Sequence, residues 1–282
     1  MHTALVDVAT LAAHLHDANW LVVDCRFDLA NPDAGESAFA QAHIPGALYA
    51  HLDRDLAGPI TPTTGRHPLP DPQEFANTLG RWGVTANTQV IAYDADTGMY
   101  AARLWWMLRW LGHDAVAVLN GGFKAWLASG MEISRETSTR NRSQFVARAD
   151  RSMWVDASEV ARATNDASWR VLDARAPERY QGIVEPIDAV AGHIPGARNH
   201  PFAKSLVSEG RFASPNELRS QFAMSQDGVP AERTVAMCGS GVTACHLLLA
   251  LEVAGQHGAK LYPGSWSEWI RDPSRPVTTK ER

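Results

Sequence analysis

Short, continuously apolar runs alternate along this chain with segments of helical spacing. The runs at 21–23, 90–93 and 115–119 carry Leu, Val, Ile, Ala and Tyr with no polar alternation. That pattern belongs to strands buried on both faces of a parallel sheet. Between them, 72–82 and 99–111 repeat their apolar residues every three to four positions and predict helices. The second half follows suit, with strands at 171–172, 234–237 and 260–262 and helices at 215–223 and 243–255. Strands alternating with helices predict an α/β fold built on parallel sheets.

The pattern occurs twice. Val22-Val23-Asp24-Cys25-Arg26 returns as Val171-Leu172-Asp173-Ala174-Arg175, and Ala42-His43-Ile44-Pro45-Gly46-Ala47 as Gly192-His193-Ile194-Pro195-Gly196-Ala197. Gly121-Gly122-Phe123 likewise matches Gly264-Ser265-Trp266, in the same order. Two copies are too few for a solenoid, so each half is expected to be a whole domain. The expected boundaries are 1–135 for the first domain, 136–151 for a polar linker and 152–282 for the second. Each domain is expected to be a parallel sheet flanked by helices. His43 and His193 occur in both copies, which predicts a structural role.

A chain of 282 residues, 45% apolar, suffices for two cores. A net charge of -5 without a Lys/Arg cluster speaks against nucleic acid and anionic membrane as partners. The greasiest run, 104–111, is interrupted by Arg109 and too short to span a bilayer. The N-terminus has no basic region followed by an apolar stretch, so no signal peptide is expected. Three cysteines, Cys25, Cys238 and Cys245, form neither a disulfide framework nor a CxxC pair. A reducing compartment, the cytoplasm, fits that usage.

One cysteine stands apart. Cys238 opens Cys238-Gly239-Ser240-Gly241-Val242-Thr243, between an apolar strand and a helix. Two glycines allow successive backbone N–H groups to turn inward as an anion nest, and the helix N-terminus adds positive potential. Such a loop suits a reactive sulfur anion, whereas Cys25 and Cys245 read as packing thiols. A phosphatase would need Arg where this chain has Ala244, because without that guanidinium phosphate lacks its bidentate partner.

The doubled Asp-x-Arg strand ends, the doubled His-Ile-Pro-Gly-Ala and the loop Cys-Gly-Ser-Gly-Val-Thr together resemble the tandem-domain rhodanese family over essentially the whole length. The resemblance implies a sulfurtransferase that carries sulfur as a persulfide on Cys238. The nest and helix start would come from Gly239, Gly241, Val242 and Thr243. With Ser240 in the loop instead of a basic residue, it is similar to members that take 3-mercaptopyruvate; thiosulfate members carry cations there. The resemblance further implies that Ser240 works with His67 and Asp53, and that Arg179 holds the donor. The position of a second donor-binding arginine falls on Asp188, which leaves thiosulfate:cyanide transfer as the alternative; a non-catalytic persulfide-binding module is a third reading. A small anionic donor and an acceptor thiol such as thioredoxin, or cyanide, are the implied partners. The implied chemistry needs no metal and no organic cofactor. The first domain has Asp94 where the second has Cys238, so it is expected to be catalytically silent.

Overall fold

A computed structural model describes residues 1–279. The chain divides into two compact units, and each borrows a segment from the other half of the sequence. Unit 1 comprises 1–58, 70–150 and 207–212; of the described residues, unit 2 comprises 59–69, 151–206 and 213–279.

Unit 1 is a five-stranded parallel sheet of β1 (Leu5–Val6), β2 (Trp20–Asp24), β3 (Leu48–Tyr49), β4 (Gln89–Tyr93) and β5 (Val116–Leu119), in the order β1-β5-β4-β2-β3. Every residue of β2, β4 and β5 is buried, as their unbroken apolar runs require. Trp20, Val22, Ile91, Tyr93 and Leu119 pack with Leu11, Ile44, Phe123 and Trp126 into the core of one face. The helix Pro72–Arg81 begins where Asp71 accepts N–H bonds from Gln73 and Glu74 and Pro72 fills its first turn. The polar stretch 136–150 lies along unit 1: Arg140 donates to the carbonyls of Ala18 and Trp20, and Ser143 Oγ to that of Val84.

Unit 2 repeats the plan with four strands, β6 (Arg170–Asp173), β7 (Arg198–Asn199), β8 (Thr234–Met237) and β9 (Lys260–Leu261), in the order β7-β6-β8-β9. Its core gathers Val160, Val171, Ile194, Val235, Met237, Tyr262, Trp266 and Trp269. The fold expected from the sequence, two α/β units with parallel sheets and flanking helices, is the fold observed. The chain runs outward from β6 to β7 but in the opposite direction from β8 to β9. The carboxyl ends of β6 and β8 therefore flank a switch point, where open α/β sheets place their ligand crevice.

The repeated motifs serve the frame. Arg26 forks onto Asp24 and donates to the Ala42 carbonyl; Arg175 does the same with Asp173 and Gly192. His43 stacks on Phe39 and His193 on Tyr180, and each backbone bridges a C-terminal stretch of its own unit, at Ser134 and Thr278. Among the described residues no helix is long and apolar enough to cross a membrane.

Candidate active site

Cys238 follows β8 directly, at the switch point of unit 2, and is 2% exposed. Gly241 holds φ at +78°, a left-handed value open to glycine at little cost, and its N–H then donates to Cys238 Sγ at 3.2 Å. The helix Thr243–Val253 starts two residues later, with Val242 as its N-terminal flank, so its positive end lies on the same loop. A pair of backbone bonds also fixes the loop: Trp266 N–H to the Cys238 carbonyl and Ser267 N–H to that of Gly239.

Ser265 adds a hold that the sequence did not signal. It adopts φ +53°, uncommon for a residue with a side chain, and its Oγ accepts the Cys238 N–H at 3.0 Å. The matching residue of unit 1 is Gly122, at φ +56°, with no hydroxyl to offer. Strain of this kind persists where the surroundings fix it, and here it pins the backbone of the candidate nucleophile.

Ser240 and His67 meet inside unit 2. Ser240 Oγ and His67 Nδ1 are 2.8 Å apart and both residues are buried. His67 reaches this position because the segment 59–69 belongs to unit 2. Gly65 makes the approach possible, since a Cβ there would fall 2.5 Å from the Gly264 carbonyl oxygen. Asp53 stands in unit 1, in the short helix Leu52–Asp55, where its N–H donates to His51 Nδ1.

Arg179 lies over the loop, and so does Arg66. A Cβ on Gly239 would come 3.3 Å from Arg66 Nη2, 3.6 Å from Arg179 Nη1 and 3.7 Å from Arg179 Nη2. Two acids, their side chains 3% exposed, hold these guanidiniums. Glu185 takes Arg179 Nε and Nη2, and Asp188 bridges Arg179 Nη2 at 3.0 Å to Arg66 Nη1 at 2.6 Å. Burial pushes the Glu185 carboxyl up, but Arg179 and the N–H groups of Asp188 and Ile187 outweigh it and leave it below its ordinary value. Arg66 went unassigned in the sequence reading, although it sits beside His67.

The other thiols have different surroundings. Burial pushes Cys25 well up, and the Asp24 charge adds to this. Cys245 donates its thiol hydrogen to the carbonyl of Gly241, in the loop that precedes its helix. At the corresponding loop of unit 1, the side chain of Asp94 occupies the nest, accepting N–H bonds from Gly98, Tyr100 and Ala101. Among the described residues no cluster of His, Cys, Asp or Glu is arranged to hold a metal ion.

The rhodanese-like domain matches the chain twice, over residues 7–129 and 156–272. The chain belongs to the rhodanese-like family. It is 47% identical over 277 residues to a probable 3-mercaptopyruvate sulfurtransferase of Pseudomonas aeruginosa, covering 98% of both chains. It is 37% identical over 276 residues to a putative thiosulfate sulfurtransferase of Mycobacterium tuberculosis, covering 97% of this chain and 96% of the other. Among solved structures, 3-mercaptopyruvate sulfurtransferase from Leishmania major superposes with a TM-score of 0.84 at 32% identity. That match spans 96% of this chain and 76% of the other.

Proposed function

We propose that this protein is a sulfurtransferase that takes sulfur from 3-mercaptopyruvate onto Cys238 and passes it to a thiol, such as that of thioredoxin, or to cyanide. The observation that carries the donor assignment is the Ser240–His67 pair beside Cys238, at 2.8 Å, in a loop without a cation of its own. The relatives named above support the same reading.

The Cys238 thiolate attacks the donor sulfur, forming the S–S bond as the donor's C–S bond breaks. The thiol proton stays on the transferred sulfur. The electron pair of the broken bond remains on carbon as the enolate of pyruvate, which needs one proton. Ser240 donates it, His67 refills the hydroxyl, and solvent reprotonates His67. The resemblance gives Asp53 a further part in this proton transfer. The Gly241 N–H and the start of the helix Thr243–Val253 stabilise negative sulfur before and after transfer. Arg179 positions the donor. Splitting the reaction at a persulfide gives ping-pong kinetics. Unit 1 is catalytically silent, because Asp94 stands where a sulfur carrier is needed. Three thiols without a disulfide suit a reducing compartment such as the cytoplasm.

Thiosulfate is the second reading, favoured by two guanidiniums side by side over Gly239, which suit a dianion. Measuring kcat/KM for both donors with one preparation decides between them. A higher value for mercaptopyruvate supports the proposal, and a higher value for thiosulfate overturns the donor assignment.

A further inference from the structure

Asp188 occupies the position where the resemblance implies a second donor-binding arginine, and an acid cannot itself bind an anion. The structure shows what the acid touches. Asp188 Oδ1 accepts from Arg66 Nη1 at 2.6 Å and its Oδ2 from Arg179 Nη2 at 3.0 Å, so one carboxylate grips two guanidiniums. Its own backbone is anchored, since the N–H groups of Ile187 and Asp188 both donate to Glu185 Oε1. Arg66 is anchored at its backbone as well, with its N–H on Ser267 Oγ at 3.0 Å. One edge of Arg66 is thereby fixed. The other is unspent: Nε is buried with no hydrogen-bond partner, and Nη2 lies over Gly239, next to the candidate nucleophile.

A buried guanidinium nitrogen left without an acceptor, in a group whose remaining edge faces the reacting loop, is arranged for an acceptor that arrives from outside. We propose that Arg66 is a second donor-binding cation of this site, pairing with Arg179 to take the donor's carboxylate, and that Asp188 is the positioning residue that holds it there. This deepens the proposed function and rests on the donor being a small anion delivered to Cys238. The cation that position 188 lacks is supplied by a residue 122 positions earlier in the chain. The chemistry recognised is a compact carboxylate that two guanidiniums bind from adjacent directions.

The test uses the full-length protein and two readouts. The first is the rate of Cys238 alkylation by iodoacetate relative to iodoacetamide, with the modified cysteine identified by peptide mapping. These reagents differ mainly by one carboxylate, so the ratio reports an anion-binding site without requiring turnover. The second is KM and kcat for mercaptopyruvate. Arg66→Ala should lower the alkylation ratio and raise KM, each about tenfold, as expected for losing one charge-assisted hydrogen bond, with kcat changed far less. Arg66→Lys should keep most of the ratio.

Asp188→Asn separates clamping from charge. Removing a negative charge near the loop would raise the iodoacetate preference if Asp188 acted only through its field. If it positions Arg66, the ratio falls. Circular dichroism and a thermal melt establish that each variant is folded, and Arg66→Lys carries the test should Arg66→Ala not be. An Arg66→Ala ratio equal to wild type, or a loss in Arg66→Lys as large as in Arg66→Ala, overturns the assignment of Arg66. An unchanged or higher ratio in Asp188→Asn overturns the clamp. A wild-type protein that turns over no mercaptopyruvate refutes the functional reading instead, and the alkylation ratio still decides the role of Arg66.

Discussion

Two glycines with the same backbone angle offer a controlled test of the nest around Cys238. Gly241 and Gly46 both hold φ at +78°. A Cβ on Gly46 meets nothing within 4 Å, whereas one on Gly241 would fall 2.4 Å from the Pro263 carbonyl oxygen and 3.0 Å from Pro263 Cα. Alanine in the left-handed region costs roughly 1–2 kcal/mol at either position. At Gly46 that is the whole effect, and activity should stay within about twofold of wild type, since nothing in the reacting loop moves. At Gly241 the overlap is with backbone, so either Pro263 or the Cys238 loop must shift. The N–H bond to Cys238 Sγ is lost with that shift, and a hydrogen bond to a charged acceptor contributes about 1.5–3 kcal/mol. Expressed in the transition state, this lowers kcat/KM roughly 10- to 150-fold. The assay pairs steady-state kcat/KM with thermal unfolding for both variants. Gly241→Ala with wild-type kcat/KM, or equal activity losses in the two variants, refutes the nest as the device that stabilises the sulfur.

Three further outcomes are expected. Ser240→Lys should move donor preference toward thiosulfate by about ten- to a hundredfold, because it sets a cation beside a dianion; a ratio of kcat/KM values that does not move contradicts this. Asp94→Cys in a Cys238→Ser background should restore no turnover, since the loop of unit 1 carries Asp96 and is one residue longer between strand end and glycine; measurable persulfide at position 94 would count against a silent unit 1. Glu185 has a folded-state pKa below its unfolded one, so the stability it contributes is present above about pH 4.3 and is lost as pH falls through the lower folded value. Melting temperature against pH should therefore show a shallower acid limb in Glu185→Gln, and coincident curves would contradict the role given to its contacts.

The parts of this protein that were legible in its sequence are those written in consecutive residues. The runs that became β2, β4, β5, β6 and β8 are unbroken apolar stretches, and all lie in the sheets within a residue or two of the expected bounds. Cys238 was legible because its neighbours are Gly, Ser and Gly in a stretch that packing alone does not explain. The strands β1, β3 and β7, two residues each at a sheet edge, were not singled out, although β9, equally short, was expected at 260–262. Arg66 escaped for a different reason. Its partner Asp188 comes 122 residues later, and only the inclusion of 59–69 in unit 2 joins them. Ser265 was hidden by its backbone angle, which no residue type other than glycine advertises. The resemblance named His67, and its 2.8 Å contact with Ser240 is a distance no sequence motif contains.

The central claim is that Cys238 alone carries the sulfur, and intact-protein mass spectrometry tests it most directly. After incubation with mercaptopyruvate and removal of excess donor, the chain should gain the mass of one sulfur atom, mapped by peptide analysis to Cys238 and discharged on adding an acceptor thiol. Cys238→Ser should gain none and should not turn over. Added sulfur on Cys25 or Cys245, or turnover retained by Cys238→Ser, would contradict the account.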